Sequence, residues 1–66
     1  MTYYFYRQHM ETGRREPVSE ADTFRAVLRN WPENAGRIVS FCKRQGLQPY
    51  VDGWIYGCVL AMDKGV

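Results

Sequence analysis

An activated nucleophile, a metal centre and an anion-binding surface are the three kinds of chemistry for which this chain holds candidate residues. His9 is its one histidine, and Cys42 and Cys58 are its two cysteines. A His9–Cys42 pair would make a thiolate nucleophile, which needs a polar, electropositive setting for the sulfur. Cys42 instead lies among Ile38, Val39 and Phe41, and apolar surroundings keep a thiol protonated and inert. A metal would need His9, Cys42 and Cys58 to converge, and their spacing carries none of the short-range repeats of zinc sites. No phosphate-binding glycine loop, HExxH or nucleophile-elbow serine occurs. The expectation is a non-enzyme with no metal site and no cofactor.

The cations offer the third chemistry. Between Thr23 and Leu47 stand Arg25, Arg29, Arg37, Lys43 and Arg44 against the single anion Glu33, a local charge of +4 in a chain of net charge +2. Arginines, which outnumber lysines seven to two, suit bidentate contacts to phosphate or carboxylate. These five are the candidate residues for binding nucleic acid. A solvated helix face is the plainer alternative, and Lys43 and Arg44 also suit a helix C-terminus.

The aromatics point to contact with another molecule. Tyr3-Tyr4-Phe5-Tyr6 opens the chain, and Trp54-Ile55-Tyr56 answers it near the end. Side chains alternate between the faces of a strand, so consecutive aromatics put rings on both. Phe5, having no hydroxyl, belongs inside, which turns Tyr4 and Tyr6 outward. Strand 54–61 is apolar on both faces as well, so one side of the sheet keeps an apolar surplus whichever way it turns. Such patches are enriched at protein interfaces. Tyr4, Tyr6, Trp54 and Tyr56, with Arg14 and Arg15 at the rim, are the candidate residues for a protein partner.

Elements that would position these residues are legible along the chain. Residues 2–8 read as a strand on aromatic content. Glu11-Thr12-Gly13 makes a turn, and residues 14–18 return as a short strand confined to an edge by Pro17, or as a loop. Ser19 is placed as a helix N-cap with Asp22 completing a capping box. Phe24, Val27, Leu28 and Trp31 then follow the spacing of one buried helical face. Pro32 ends this helix and opens a second. Ala35, Ile38, Val39, Phe41 and Cys42 give the second helix its apolar side, and Gly46 caps it. Asp52-Gly53 between Leu47–Val51 and Trp54–Ala61 is the signature of a type I′ hairpin. The longer arm has room for two neighbours, the hairpin partner and the first strand.

The sum is an α+β domain of order β(β)ααββ, an antiparallel sheet of three or four strands with two helices packed on one face. The opening strand–helix–helix order is similar to that of ribbon-helix-helix repressors, whose single strand pairs with a second subunit and presents polar readers to DNA. Here the chain supplies its own hairpin and its strand presents tyrosines, so no family is assigned.

Sixty-six residues make one domain, spanning 1–66, and leave little room for an enclosed substrate cavity. A hydrophobic content of 45% excludes disorder. No apolar run approaches the roughly 18 residues of a membrane span, and no secretory leader pattern is present. Two cysteines without a CxxC pairing read as reduced, buried thiols in the cytoplasm, with a single disulfide as the less favoured alternative. The expected role is a small interaction module binding a protein partner, as a regulator or inhibitor of a larger complex, for instance a nucleic-acid-processing one. Accessory proteins of phages and mobile elements offer an analogy. A homodimer closing the second face and a nucleic-acid-binding module are the alternatives.

Overall fold

The computed structural model describes residues 2–61. Six elements follow one another: β1 (Thr2–His9), β2 (Arg15–Val18), α1 (Glu20–Asn30), α2 (Ala35–Gln45), β3 (Tyr50–Val51) and β4 (Trp54–Ala61). All strand pairs are antiparallel, in the sheet order β2-β1-β4-β3. This is the expected α+β fold with four strands, and β4 takes the two neighbours its length allowed.

Turn chemistry fixes both hairpins. The His9 carbonyl accepts from the Gly13 N–H at 2.9 Å while the His9 N–H donates to the Arg14 carbonyl at 2.8 Å, which brings β2 back along β1. At the other hairpin Asp52 and Gly53 both take positive φ, 51° and 85°, the pair a type I′ turn requires. β3 is shorter than the expected arm, because Pro49 has no N–H to give a ladder. Its carbonyl still accepts from Tyr56 at 2.9 Å, adding one rung beyond the strand.

Helix α1 starts where the capping residues put it. The Asp22 N–H donates to Ser19 Oγ at 3.0 Å, and the Ser19 N–H donates to Asp22 Oδ2 at 3.4 Å. Its buried stripe differs from the expected one. Phe24 and Leu28 remain 38% and 39% exposed, while Thr23 and Val27 are fully enclosed. Thr23 tolerates burial because its hydroxyl donates to the Ser19 carbonyl at 3.1 Å, so no polar group is orphaned. A threonine satisfied within its own helix thus turns α1 by one residue relative to the apolar pattern. Helix α2 buries the expected side, with Ala35, Val39 and Cys42 innermost and Ile38 and Phe41 half-buried. It begins after a turn over Pro32–Asn34 and ends on Gly46 at φ 73°.

Both helices lie on the Phe5 side of the sheet. Phe5, Val27, Ala35, Val39 and Cys42 form the core, with Val18, Trp31, Ile38 and Cys58 packed against it. Among the described residues no helix is long and apolar enough to cross a membrane.

Candidate interaction face

Strand register decides which aromatics share a face. Phe5 is opposite Cys58, Arg7 opposite Tyr56 and His9 opposite Trp54; with Val51, these side chains take the helix side of the sheet. Tyr4 pairs with Val59, Tyr6 with Gly57 and Gln8 with Ile55 on the other side. Arg15 and Pro17 join them from β2, opposite Gln8 and Tyr6, and Tyr50 joins from β3, opposite Ile55. Among the described residues no helix covers this second face. Tyr4 is 58% exposed, Tyr50 54% and Val59 48%.

Tyr6 is the floor of this face and not a projecting anchor. Its ring lies flat over Gly57, so close that a Cβ there would sit 2.5 Å from the ring's Cζ and hydroxyl oxygen. The Arg15 guanidinium lies over the ring, 4.1 Å from its centre. The hydroxyl accepts from Gln48 Nε2 at 2.9 Å. Arg15 is fixed in turn, because its Nε and Nη2 both donate to Gln8 Oε1, at 3.2 and 3.0 Å. Beside this stack, Tyr4, Tyr6, Arg15, Pro17 and Val59 border a shallow groove of about 340 Å³ that Phe5 and Glu16 also line.

Of the residues expected to meet a partner, Tyr4, Tyr6 and Arg15 are therefore brought together, and Arg14 sits exposed in the connection beside them. Trp54 and Tyr56 are not. They hold Arg7 on the helix side: its guanidinium lies 3.9 Å over the Trp54 ring, donates to the Tyr56 hydroxyl at 3.4 Å and pairs with Glu16 at 3.1 Å. The Tyr56 hydrogen bond, with Glu16 adding to it, raises the Arg7 pKa above its ordinary value against the opposing pull of burial. Ile55, Gly57 and Val59, the other of the two sets that alternation allows in strand 54–61, complete the open face. Gln48 and Tyr50 join it without being among the residues expected from sequence. One signal was available for Tyr50: a two-residue turn between Val51 and Trp54 forces Tyr50 opposite Ile55. The register between β1 and β4 arises only in the folded sheet.

The helical cations do not form one patch. Arg25 pairs with Asp22 at 2.9 Å, Arg29 with Asp52 at 3.1 Å and Lys43 with Glu20 at 3.0 Å. Arg25 and Arg29 border a polar cleft of about 660 Å³ that also contains Arg7, Glu16 and Asp22, so cation and carboxylate nearly balance there. Arg37 and Arg44 lie exposed on α2 without an ion pair to the described residues.

The nucleophile candidates are kept apart. His9 Nδ1 accepts from the Glu11 and Thr12 N–H groups at 3.3 and 3.4 Å, and its ring meets Trp54 edge-on at 4.8 Å. Phe5, across which Cys58 sits, is four residues along the strand from His9, about 13 Å away. Burial pushes the Cys42 thiol up to about 11, with neighbouring Cys58 adding to the effect. Cys58 is also raised by burial. Both thiols are free, and at neutral pH both are protonated and poor nucleophiles. No metal-holding group of His, Cys, Asp and Glu occurs among the described residues. Comparison with protein families, characterised proteins and solved structures yields no match.

Proposed function

We propose that this chain is a small non-catalytic interaction module that binds a protein partner through the open face of its sheet, acting as a regulator or inhibitor of a larger assembly. One observation carries the reading. Helices cover the middle of one face, leaving Tyr3 and Leu60 partly exposed at its end. The other face leaves Tyr4 and Val59 about half exposed along a shallow groove and Tyr50 half exposed at the far edge. Tyrosines at such a surface bring large contact area with few rotors to freeze, which is why interfaces are rich in them.

The same geometry weighs against bases stacking on Tyr6, since its ring packs tightly on Gly57 and already carries the Arg15 guanidinium. Three of the five helical cations are also neutralised by carboxylates, which weakens a phosphate-tracking surface.

Affinity capture from the native host, with and without nuclease, is the test. A partner retained after nuclease, and lost with Tyr4→Ala plus Tyr50→Ala, supports the reading. Capture that survives both substitutions removes the open face as the binding surface. Capture that depends on nucleic acid favours the alternative, and a dimer seen by light scattering and broken by the same substitutions makes the partner a second copy.

A further inference from the structure

Arg15 is unlike the other cations packed against the body of this protein. Arg7, Arg25, Arg29 and Lys43 each pair with a carboxylate, from Glu16, Asp22, Asp52 and Glu20. Arg15 is held by the neutral amide of Gln8 and the ring of Tyr6. Among the described strand residues of the open face it is the one charged side chain. A guanidinium has five N–H donors in a planar fork. The bonds to Gln8 use Nε and one hydrogen of Nη2, which is one edge of the fork. The end-on edge, built from Nη1 and the second hydrogen of Nη2, remains. That edge has the geometry of a bidentate carboxylate contact.

Order comes before the ligand here. Stacking on Tyr6 and the paired bonds to Gln8 restrict the long arginine chain, so little rotamer entropy is left to lose on binding. Arg15 also lines the groove with Tyr4, Pro17 and Val59, and Glu16 is the one carboxylate-bearing residue along it. The nearby Glu16 carboxylate is spoken for, because it turns to the other face and pairs with Arg7. Electrostatic complementarity therefore asks for a negative charge beside apolar groups.

We infer that the open face takes a protein segment carrying an aspartate or glutamate next to aliphatic or aromatic side chains, the carboxylate on the end-on edge of Arg15 and the apolar group in the groove. This deepens the proposed function and rests on it. Phosphate on nucleic acid could meet the same edge, but the covered Tyr6 ring and the lone charge of the face favour the peptide.

Selection from a random peptide display library against the whole chain tests the inference. Peptides with an acid flanked by aliphatic or aromatic residues should be enriched, and a synthetic copy of the best should bind roughly tenfold more weakly to Arg15→Gln. Selection against Arg15→Glu should switch the enrichment to basic peptides. Both variants sit on an exposed edge strand, and far-ultraviolet circular dichroism verifies their fold. Enriched peptides that are apolar without acidic bias, yet lose binding with Tyr4→Ala, would overturn the carboxylate while leaving the face intact. Enriched peptides indifferent to Tyr4→Ala and Tyr50→Ala would overturn the face itself. No enrichment, or binding of oligo(dT) that Arg15→Glu abolishes, would also overturn the inference.

Discussion

The two faces of this sheet use the same residue types for different ends. Arg7 and Arg15 belong to one hairpin, and each stacks on an aromatic ring, Trp54 on the helix side and Tyr6 on the open side. The helix-side arginine is neutralised by Glu16 and bonded to Tyr56. The open-side arginine has only an amide and a ring. One face answers its charge within the protein, although Arg7 and Glu16 stay about a third exposed at a cleft. The other holds an arginine in place and leaves its charge unanswered. A protein built for stability alone has no need of that second arrangement, which is why the open face carries the functional reading.

Adjacent residues of β1 give the sharpest way to break this contrast. Phe5 is in the core and Tyr4 is exposed on the far side. Phe5→Ala should cost about 3–5 kcal/mol, a large part of the stability available to a domain this small. Tyr4→Ala should stay within about 0.5 kcal/mol of the parent. Urea midpoints at unchanged slope check both. Similar losses from the two substitutions would mean that the open face is itself part of the folded core, and the division between faces would fail.

A smaller effect is expected at Gly57, under Tyr6 on the open face. The ring of Tyr6 occupies the space that a side chain would need, so Gly57→Ala should push it off the sheet and cost about 1–3 kcal/mol. Displacing the ring also removes the surface under Arg15 and the contact with Gln48. The variant should thus lose the ordered guanidinium while keeping the Phe5 core, visible as shifted Tyr6 and Arg15 resonances with an unchanged Val27 methyl. A Tyr6 ring unmoved by the substitution would mean that it does not lie on the strand as described.

How far the sequence led follows from which interactions are local. The Ser19–Asp22 capping box, the Gly46 cap and the Asp52-Gly53 turn each depend on neighbouring residues, and each was readable. The buried side of α1 is half legible: Val27 and Trp31 are inside as expected, whereas Thr23 takes the place of Phe24 and Leu28. A threonine counts as polar in a pattern, although its hydroxyl bonded to the Ser19 carbonyl can be enclosed. Tyr4 was read correctly as outward. Trp54 and Tyr56 were grouped with it, since their side depends on the pairing of β1 with β4, across a separation of some 50 residues. The pairing of Arg25, Arg29 and Lys43 with carboxylates was hidden for a similar reason. Arg29 meets Asp52 and Lys43 meets Glu20 through tertiary approach, and only the Arg25–Asp22 pair lies within one helical turn.

Acid should distinguish the faces by the smallest of these effects. Asp22 is held below its ordinary pKa first by its hydrogen bond with the Ser19 side chain, then by the Ser19 backbone; burial opposes this, and Arg25 adds a smaller lowering effect. A carboxyl whose folded pKa is depressed contributes stability that is present above its unfolded value of roughly 4. That contribution is lost as pH falls through the folded value. Acidification should therefore loosen the start of α1, which positions Thr23 and Val27 on the helix side. The Arg15–Gln8–Tyr6 stack contains no carboxyl group and should hold until the whole domain unfolds. Following Thr23 and Tyr6 resonances between pH 6 and 2 (roughly the range over which free and depressed carboxyls titrate) should show the first moving before the second. Ser19→Ala should cost about 1 kcal/mol at neutral pH and return the Asp22 titration toward its free value. If Tyr6 moved together with Asp22, the open face would depend on the cap, and the two faces would not be separable units.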